Sequence, residues 1–441
     1  MRINQAEVLQ SLLAQEDTDG SRTITIDDSG PKHYTVNGEH GKTLEVKGTY
    51  YLANLLQEVW LGNGTLDAEK VFMKPLARVD YLMKNHYWSI LSRRMDAENI
   101  LATLVDEKRS SDKAYLYVPA ADADGLDYYR RITADYPQIE LIELPAPPFS
   151  AELLAEIDEK PGLLALKYDA QSGEPLPYVV PGGRFNEMYG WDSYFIALGL
   201  MVHDQYDLAK GMVENIAYQI KYYGKMLNAN RSYYLTRSQP PFYTALLADF
   251  YRQYEARLST QWLVEHLAIA IDEYETVWMN PQTHLFADLG LNRYFDEGQG
   301  RPKETEPGHF KMEIQKYAGR LGISVEEYER GYDAGEISEP ELDRYFVHDR
   351  AMRESGHDTS ERLDSVCADL ACVDLNAILY DVERKISALI DDYFPHGFRH
   401  NGREYSGSEW YEKAQARYDL VQQYLWNEEA GCFYDYNVRR G

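Results

Sequence analysis

Residues 181–195 (PGGRFNEMYGWDSYF) have the types needed to hold a ring rich in hydroxyls. Gly182 and Gly183, after Pro181, permit a bend that a side chain would obstruct. Arg184 offers a planar fork of donors for a carboxylate or for neighbouring hydroxyls. Tyr189, Trp191 and Tyr194 add flat faces with polar tips, while Glu187 and Asp192 add acceptors. Any one of these residues is explained more simply by an ordinary turn with a buried ion pair; the whole string is not. Residues 228–241 (NANRSYYLTRSQPP) gather amides, arginines and hydroxyls ahead of a helix that Pro240-Pro241 can start. Composition alone makes this a well-capped polar loop. Residues 301–309 (RPKETEPGH) set Glu304 and Glu306 in what composition reads as a solvated surface loop. Residues 353–362 (RESGHDTSER) crowd charge around a Ser-Gly bend. Asp358 there either turns its carboxyl into a cavity or serves as a helix N-cap beside Thr359 and Ser360. The residues by themselves slightly favour the cap.

A further cluster of oxygen ligands occupies residues 17–28 (DTDGSRTITIDD). Oxygen side chains fall at loop positions one, three, five, nine and twelve, the rhythm of an EF-hand calcium loop. Two features depart from it. Arg22 takes position six, where the EF-hand uses glycine, and Asp28 replaces the terminal glutamate. On spacing alone, calcium site and solvated acidic turn are evenly matched.

These side chains need elements to position them. Val8, Leu9, Leu12 and Leu13 suggest a short helix over residues 1–16, and Leu52, Leu55, Leu56 and Val59 another over 50–61. A third helical region is expected over 76–100. Residues 115–118 and 139–144 read as two short strands, the second ended by a Pro-rich segment. From residue 191 the chain reads as overwhelmingly helical. Leu208, Met212, Ile216 and Ile220 step by four, as do Leu263, Leu267 and Ile271. Leu363, Cys367, Leu370 and Val373 open a long buried helix expected over 363–391. Amphipathic helices joined by polar loops suggest helices packed in a ring, with function in the loops.

Bulk properties narrow the class. The chain has 441 residues and 44% hydrophobic content, enough for a sizeable core. A formal charge of -27 argues against nucleic acid and anionic membrane surfaces as partners. Three cysteines, Cys367, Cys372 and Cys432, suit a reducing compartment. No apolar run approaches bilayer length and no signal peptide opens the chain, so a soluble cytoplasmic protein is expected.

Residues 181–195 resemble the trehalase signature PGGRFxExYxWDxY at every fixed position. The resemblance extends over nearly the whole chain and is greatest to the neutral, calcium-dependent trehalases of fungi. It implies a mainly α fold, an (α/α)6 toroid incomplete in this chain, with a small calcium-binding segment at residues 1–48 and a short peripheral β element. The catalytic domain would occupy 49–441. Residues 228–241 resemble the family segment NRSYYLxRSQPPF, and 353–362 its RESGxDxSxR motif. By that resemblance Asp358 is the general acid. Arg184, Trp191, Asp192, Asn228, Arg237, Ser238, Gln239, Glu306, Arg353 and Gly356 are substrate contacts. Residues 17–32 resemble the family segment DTDxxxxITIxDxGPK, which makes Asp17, Asp19, Ser21, Thr23 and Asp28 calcium ligands, Thr23 through its backbone carbonyl. Calcium would be regulatory or structural, not catalytic.

The implied reaction is hydrolysis of α,α-trehalose to two glucoses with inversion. An inverting glycosidase keeps two carboxyls about 6.5–9.5 Å apart to admit a water. Burial and a neighbouring negative charge are expected to keep the acid protonated. The family's base is a glutamate beyond a second signature, QWDxPxGW, and the chain contains neither before Gly441. Glu187, Asp192 and Glu306 are poor substitutes. The expectation is a truncated chain with little hydrolase activity and with apolar helix faces exposed. The alternatives are another α-glucosidase on the same fold and a non-catalytic trehalose-binding or calcium-responsive regulatory protein. A 14-3-3 partner, which in the fungal enzymes docks on a phosphorylated N-terminal arm, is expected only for a longer parent.

Overall fold

The computed structural model describes residues 1–25, 27–104, 113–306 and 308–441. They form two compact units, Met1–Ile90 and Leu91–Gly441.

In the first unit, Asn4 accepts the Glu7 amide and so starts α1 (Gln5–Glu16). The chain then runs through the acidic loop into an antiparallel hairpin of β1 (His33–Asn37) and β2 (Thr43–Lys47). The buried Tyr34 faces Val46 across the hairpin, and both join Leu12, Leu55 and Val59 in one core. Leu55 and Val59 belong to α2 (Thr49–Leu61), which a buried Glu58–Arg78 ion pair of 2.5 Å ties to α3 (Pro75–Leu82). The helix expected over 76–100 is shorter. After α3 the chain widens into a π-turn at Met83–Tyr87, makes one more turn at Trp88–Leu91, and becomes extended. Ser92 and Arg93 pair with Val179 and Tyr178, and this backbone partner ends the helix where periodicity alone would continue it.

The second unit opens with a three-stranded parallel sheet. Central β3 (Ala114–Pro119) pairs with β4 (Ile139–Leu144) and with β5 (Leu163–Leu164). The two expected strands are present; the third is only two residues long and was not legible. Helices α4 (Ala123–Thr133) and α5 (Ala151–Glu159) make the crossovers, each started by a side-chain cap, Asp122 and Ser150.

The helical body follows: α6 (Gly190–Val202), α7 (Tyr206–Tyr223), α8 (Tyr243–Tyr254) and α9 (Thr260–Glu273), with α6 packed on α7 and α8, and α9 on α7 and α8. Helix α7 is buried around most of its girth, including Glu214, Asn215 and Gln219. Burial alone would raise the Glu214 carboxyl, but His266 and Lys167 outweigh it and hold the group well below its usual range. Helix α6 is apolar beyond its first turn, which holds Asp192 and Ser193, yet it leaves Phe195 and Val202 exposed. Three helices, α10 (Lys311–Leu321), α11 (Val325–Asp333) and α12 (Pro340–Glu354), share a core around Phe310, Tyr328 and Phe346.

The long helix begins ten residues later than the spacing predicts: α13 runs Val373–Tyr393 and packs on α14 (Gly407–Tyr424). Leu363 and Asp364 instead fold in turns closed on the Ser360 carbonyl, and Leu370–Ala371 pair with Tyr436–Asn437. The Asp435 carboxylate accepts the Val373 amide at 2.9 Å, which fixes the start of α13 from far along the chain. Neither Asp358, Thr359 nor Ser360 caps that helix.

Candidate active site

A cavity of about 430 Å³ in the second unit is lined by Tyr189, Trp191, Asn228, Tyr234, Arg237, Gln239, Glu304, Thr305, Glu306, His309, Arg353, Gly356 and Asp358. Its size and polar lining suit a small hydroxylated ligand. One wall is the start of α6. The Gly190 amide donates to Asn228 O at 3.0 Å, and the Trp191 amide to Gln239 Oε1 at 2.9 Å. A Cβ at Gly190 would lie 2.6 Å from Leu227 O, so only glycine lets these two segments meet. At the end of α12, Gly356 has a left-handed φ of 73° and lies against the Trp191 ring, where a Cβ would come within 2.8 Å.

The second wall is a charged cluster withdrawn from water. Arg237, only 2% exposed, pairs with Glu304, lies 3.6 Å from Asp296, and covers the Tyr234 ring at 4.8 Å. Burial would weaken its charge, but Glu304 and Asp296 outweigh burial and raise its affinity for the proton. The reverse holds for those two acids. Burial would raise them, yet the facing arginines hold both below their ordinary range, Arg237 first for Glu304 and Arg350 first for Asp296. Among the described residues the buried Nε and Nη1 of Arg237 meet no hydrogen-bond acceptor, so Nη1 faces Asp296 as a charge rather than through a hydrogen bond. Arg353 donates from Nε to Asp349 at 2.7 Å, and its Nη2 lies 3.1 Å from His309 Nε2. Burial pushes the Asp349 carboxyl up. Asn228 Nδ2 donates to Arg353 O at 3.3 Å, joining the two walls.

Eight of the residues read from the sequence therefore meet in this cavity: Trp191, Asn228, Arg237, Gln239, Glu306, Arg353, Gly356 and Asp358. Three do not line it. Arg184 is exposed, with its guanidinium over the Phe185 ring. Asp192 is half-buried in the first turn of α6, where burial raises its carboxyl. Ser238 is fully buried and donates its hydroxyl to Met226 O at 2.7 Å. Asp358 lines the cavity but is exposed, so the burial expected to keep it protonated is not supplied by the described residues. Glu187, weighed as a substitute base, is engaged by Arg231 at 2.6 Å. Sequence reasoning passed over Glu304 as a surface acid and missed Asp296, Asp349 and His309. Asp296 and His309 have partners on other segments, which no local pattern marks, whereas Asp349 and Arg353 form an i,i+4 pair that helical spacing could have found.

In the first unit, Asp17, Asp19 and Asp28 bring carboxylate oxygens within 4.8 Å of one another. Ser21 Oγ lies 2.9 Å from Thr23 Oγ1 and donates to Thr23 O at 3.1 Å. Asp28 accepts the Thr25 and Thr18 amides at 2.6 and 2.9 Å, which hold its carboxyl below the usual range. A set of hard oxygen donors at this spacing fits calcium.

The family described as Trehalase matches residues 66–441. The chain belongs to the trehalase family. The family described as Neutral trehalase Ca2+ binding domain matches residues 9–37, which include the acidic loop, so calcium is the cofactor of this segment. The cytosolic neutral trehalase of Emericella nidulans is 43% identical over 98% of this chain and 61% of its own length. That of Beauveria bassiana is 43% identical over 97% of this chain and 62% of its own. The chain thus spans about three-fifths of the length of the relatives it matches. The solved structure of neutral trehalase Nth1 from Saccharomyces cerevisiae superposes with a TM-score of 0.77 at 38% identity, covering 83% of this chain and 70% of that one. The mainly α trehalase fold with an N-terminal calcium-binding segment is therefore the fold of this chain.

Proposed function

We propose that the cavity binds α,α-trehalose and that the chain carries the acid half of a hydrolase cleaving it to two glucoses with inversion. The observation that carries this reading is the single cavity in which Arg237 and Arg353 meet Trp191, Asn228, Gln239, Glu306 and Asp358, all from segments that resemble trehalases. Arg237, Arg353, Asn228 and Gln239 would hold ring hydroxyls, Trp191 and Tyr189 would face the ring, and Glu306 would accept from it. Arg184, Asp192 and Ser238, which do not line the cavity, are proposed as substrate contacts on the family resemblance alone. Asp358 would give a proton to the leaving oxygen. The water-activating base is the glutamate that the family places after QWDxPxGW, a signature absent from these 441 residues.

In the calcium-binding segment, placed at residues 1–48 beside a catalytic domain at 49–441, Asp17, Asp19, Ser21, Thr23 and Asp28 would hold the ion. Calcium supplies charge neutralisation and loop order there, not chemistry on the sugar. Removing the Asp17 carboxylate by Asp17→Asn is expected to weaken calcium binding by roughly 10-fold or more, because the site loses one charged ligand. Calorimetric titration with calcium checks this, and unchanged affinity would discard the ligand set. The relatives' names place the chain in the cytosol, and among the described residues no helix is long and apolar enough to cross a membrane. No nucleic-acid partner is proposed, and a 14-3-3 protein is proposed only through a phosphorylated N-terminal arm of the kind the family resemblance implies.

Saturable binding of α,α-trehalose in a calorimetric titration is the expected result for this chain. Asp358→Asn should leave Kd within about threefold, since the acid works on the transition state rather than on ground-state binding. Absence of binding by the unaltered chain would overturn the sugar-site reading. Binding with no glucose release, in a polypeptide that also contains the family's base, would favour the non-catalytic reading instead.

A further inference from the structure

The polar cluster around Glu354 is not itself part of the cavity lining, yet it ties the loop of Arg237 and Gln239 to the helix end of Arg353, both of which are. Glu354 ends α12, directly after Arg353, and is wholly buried. Its Oε1 accepts the Ser238 amide at 2.9 Å. Its Oε2 accepts the Phe295 amide at 2.7 Å and lies 3.0 Å from His284 Nε2. His284 is itself buried, with Nδ1 3.0 Å from Thr283 Oγ1. Each backbone contact fixes a residue next to a cavity group. Ser238 sits between Arg237 and Gln239, and Phe295 precedes Asp296, which faces both Arg237 and Arg350.

We propose that Glu354 is a positioning residue: one buried carboxylate that sets the loops bearing Arg237 and Asp296 in register with the end of α12 bearing Arg353. Three segments distant in sequence converge on its two oxygens, so a single group fixes the spacing of the arginines across the cavity. A carboxylate suits this task because it only accepts, and all three of its neighbours can donate. His284 then carries its proton on Nε2. A glutamine in its place presents an NH₂ to at least one donor, which forces that segment away. The consequence for binding rests on the trehalose reading above; the consequence for loop order does not.

The test is amide exchange followed residue by residue, together with trehalose calorimetry, on the full chain and on Glu354→Gln. In the unaltered chain the Ser238 and Phe295 amides should be strongly protected. In Glu354→Gln at least one should exchange about tenfold faster or more, while amides in α7 and α9 keep their rates. Trehalose Kd should weaken by about tenfold or more, because ligand groups displaced by a fraction of an ångström lose their geometry. A control is Glu383→Gln, which removes an equally buried carboxylate that pairs with Arg417 at 2.8 Å in the α13–α14 layer. It should lower the melting temperature and leave Kd unchanged, an outcome a merely structural role for Glu354 would share. Unaltered exchange at both amides in Glu354→Gln, or Kd equal to that of the unaltered chain, overturns the proposal. If Glu354→Gln fails to fold, the unaltered chain decides: unprotected Ser238 and Phe295 amides overturn it, and strong protection supports it. If the unaltered chain binds no trehalose, the sugar reading falls and the exchange rates still judge the positioning role.

Discussion

Arg237→Met is expected to abolish measurable trehalose binding and to destabilise the fold by about 3–5 kcal/mol. Methionine fills a similar volume, so the loss is one of charge rather than of packing. Arg237 faces two acids in a region closed to water, Glu304 and Asp296. Asp296 keeps Arg350 at 3.1 Å when Arg237 is gone. Glu304 loses its paired cation, and its carboxyl, now held below the usual range chiefly by that charge against the effect of burial, is released upward. Arg237→Lys should recover part of the stability and little of the binding. An ammonium is a point charge on a flexible stem and cannot span two acids as a planar guanidinium does. Denaturant unfolding and titration calorimetry measure the two effects separately. A methionine variant that still binds trehalose within about threefold of the original would remove Arg237 from the site.

The second large effect is on pH dependence. Glu273, at the end of α9, is buried and accepts the Met226 amide at 2.8 Å. Burial pushes its carboxyl up from 4.5 to about 7, against the opposing pull of that amide. The folded state therefore prefers the protonated acid. That contribution is whole below pH 4.5 and is lost as pH rises through 7. The loss amounts to about 3 kcal/mol across the window. Glu273→Gln keeps an acceptor for Met226 and has no charge to bury. It should match the unaltered chain near pH 4.5 and exceed its stability at pH 8 by up to about 3 kcal/mol. Urea unfolding at several pH values tests this, and equal pH slopes in the two chains would refute it. Glu214 acts in the opposite sense. Its carboxyl is held low, so its contribution is present above the ordinary glutamate range and fades as pH falls. The two groups bound the stable range from either side.

The residues proposed to hold the sugar were legible because their resemblance to the family rests on local strings. Strings such as PGGRFNEMYGWDSYF and RESGHDTSER carry their residue types and spacing in a few consecutive positions. The oxygen rhythm of residues 17–28 was visible for the same reason, since a loop that wraps one cation takes its ligands from neighbours in sequence, but spacing alone matched it evenly with a solvated acidic turn. Periodicity likewise gave α1, α2, α7 and α9, whose buried faces repeat at helical spacing.

Tertiary structure alone decided whatever depends on a partner far along the chain. Helix α13 starts at Val373 because Asp435 accepts its amide, and the helical spacing from Leu363 misled because buried turns can imitate it. Glu304 reads as a surface acid until Arg237 is set against it, 67 residues away. Asp358 shows the converse, since only the family resemblance of its motif implies a proton donor while its exposure depends on what is packed around it. Sequence alone determined which groups are present and which face of each helix is apolar, because covalent order and side-chain period are properties of the chain itself. Pairing, burial and hence proton affinity arise only when distant segments exclude water together, and no local spacing encodes them.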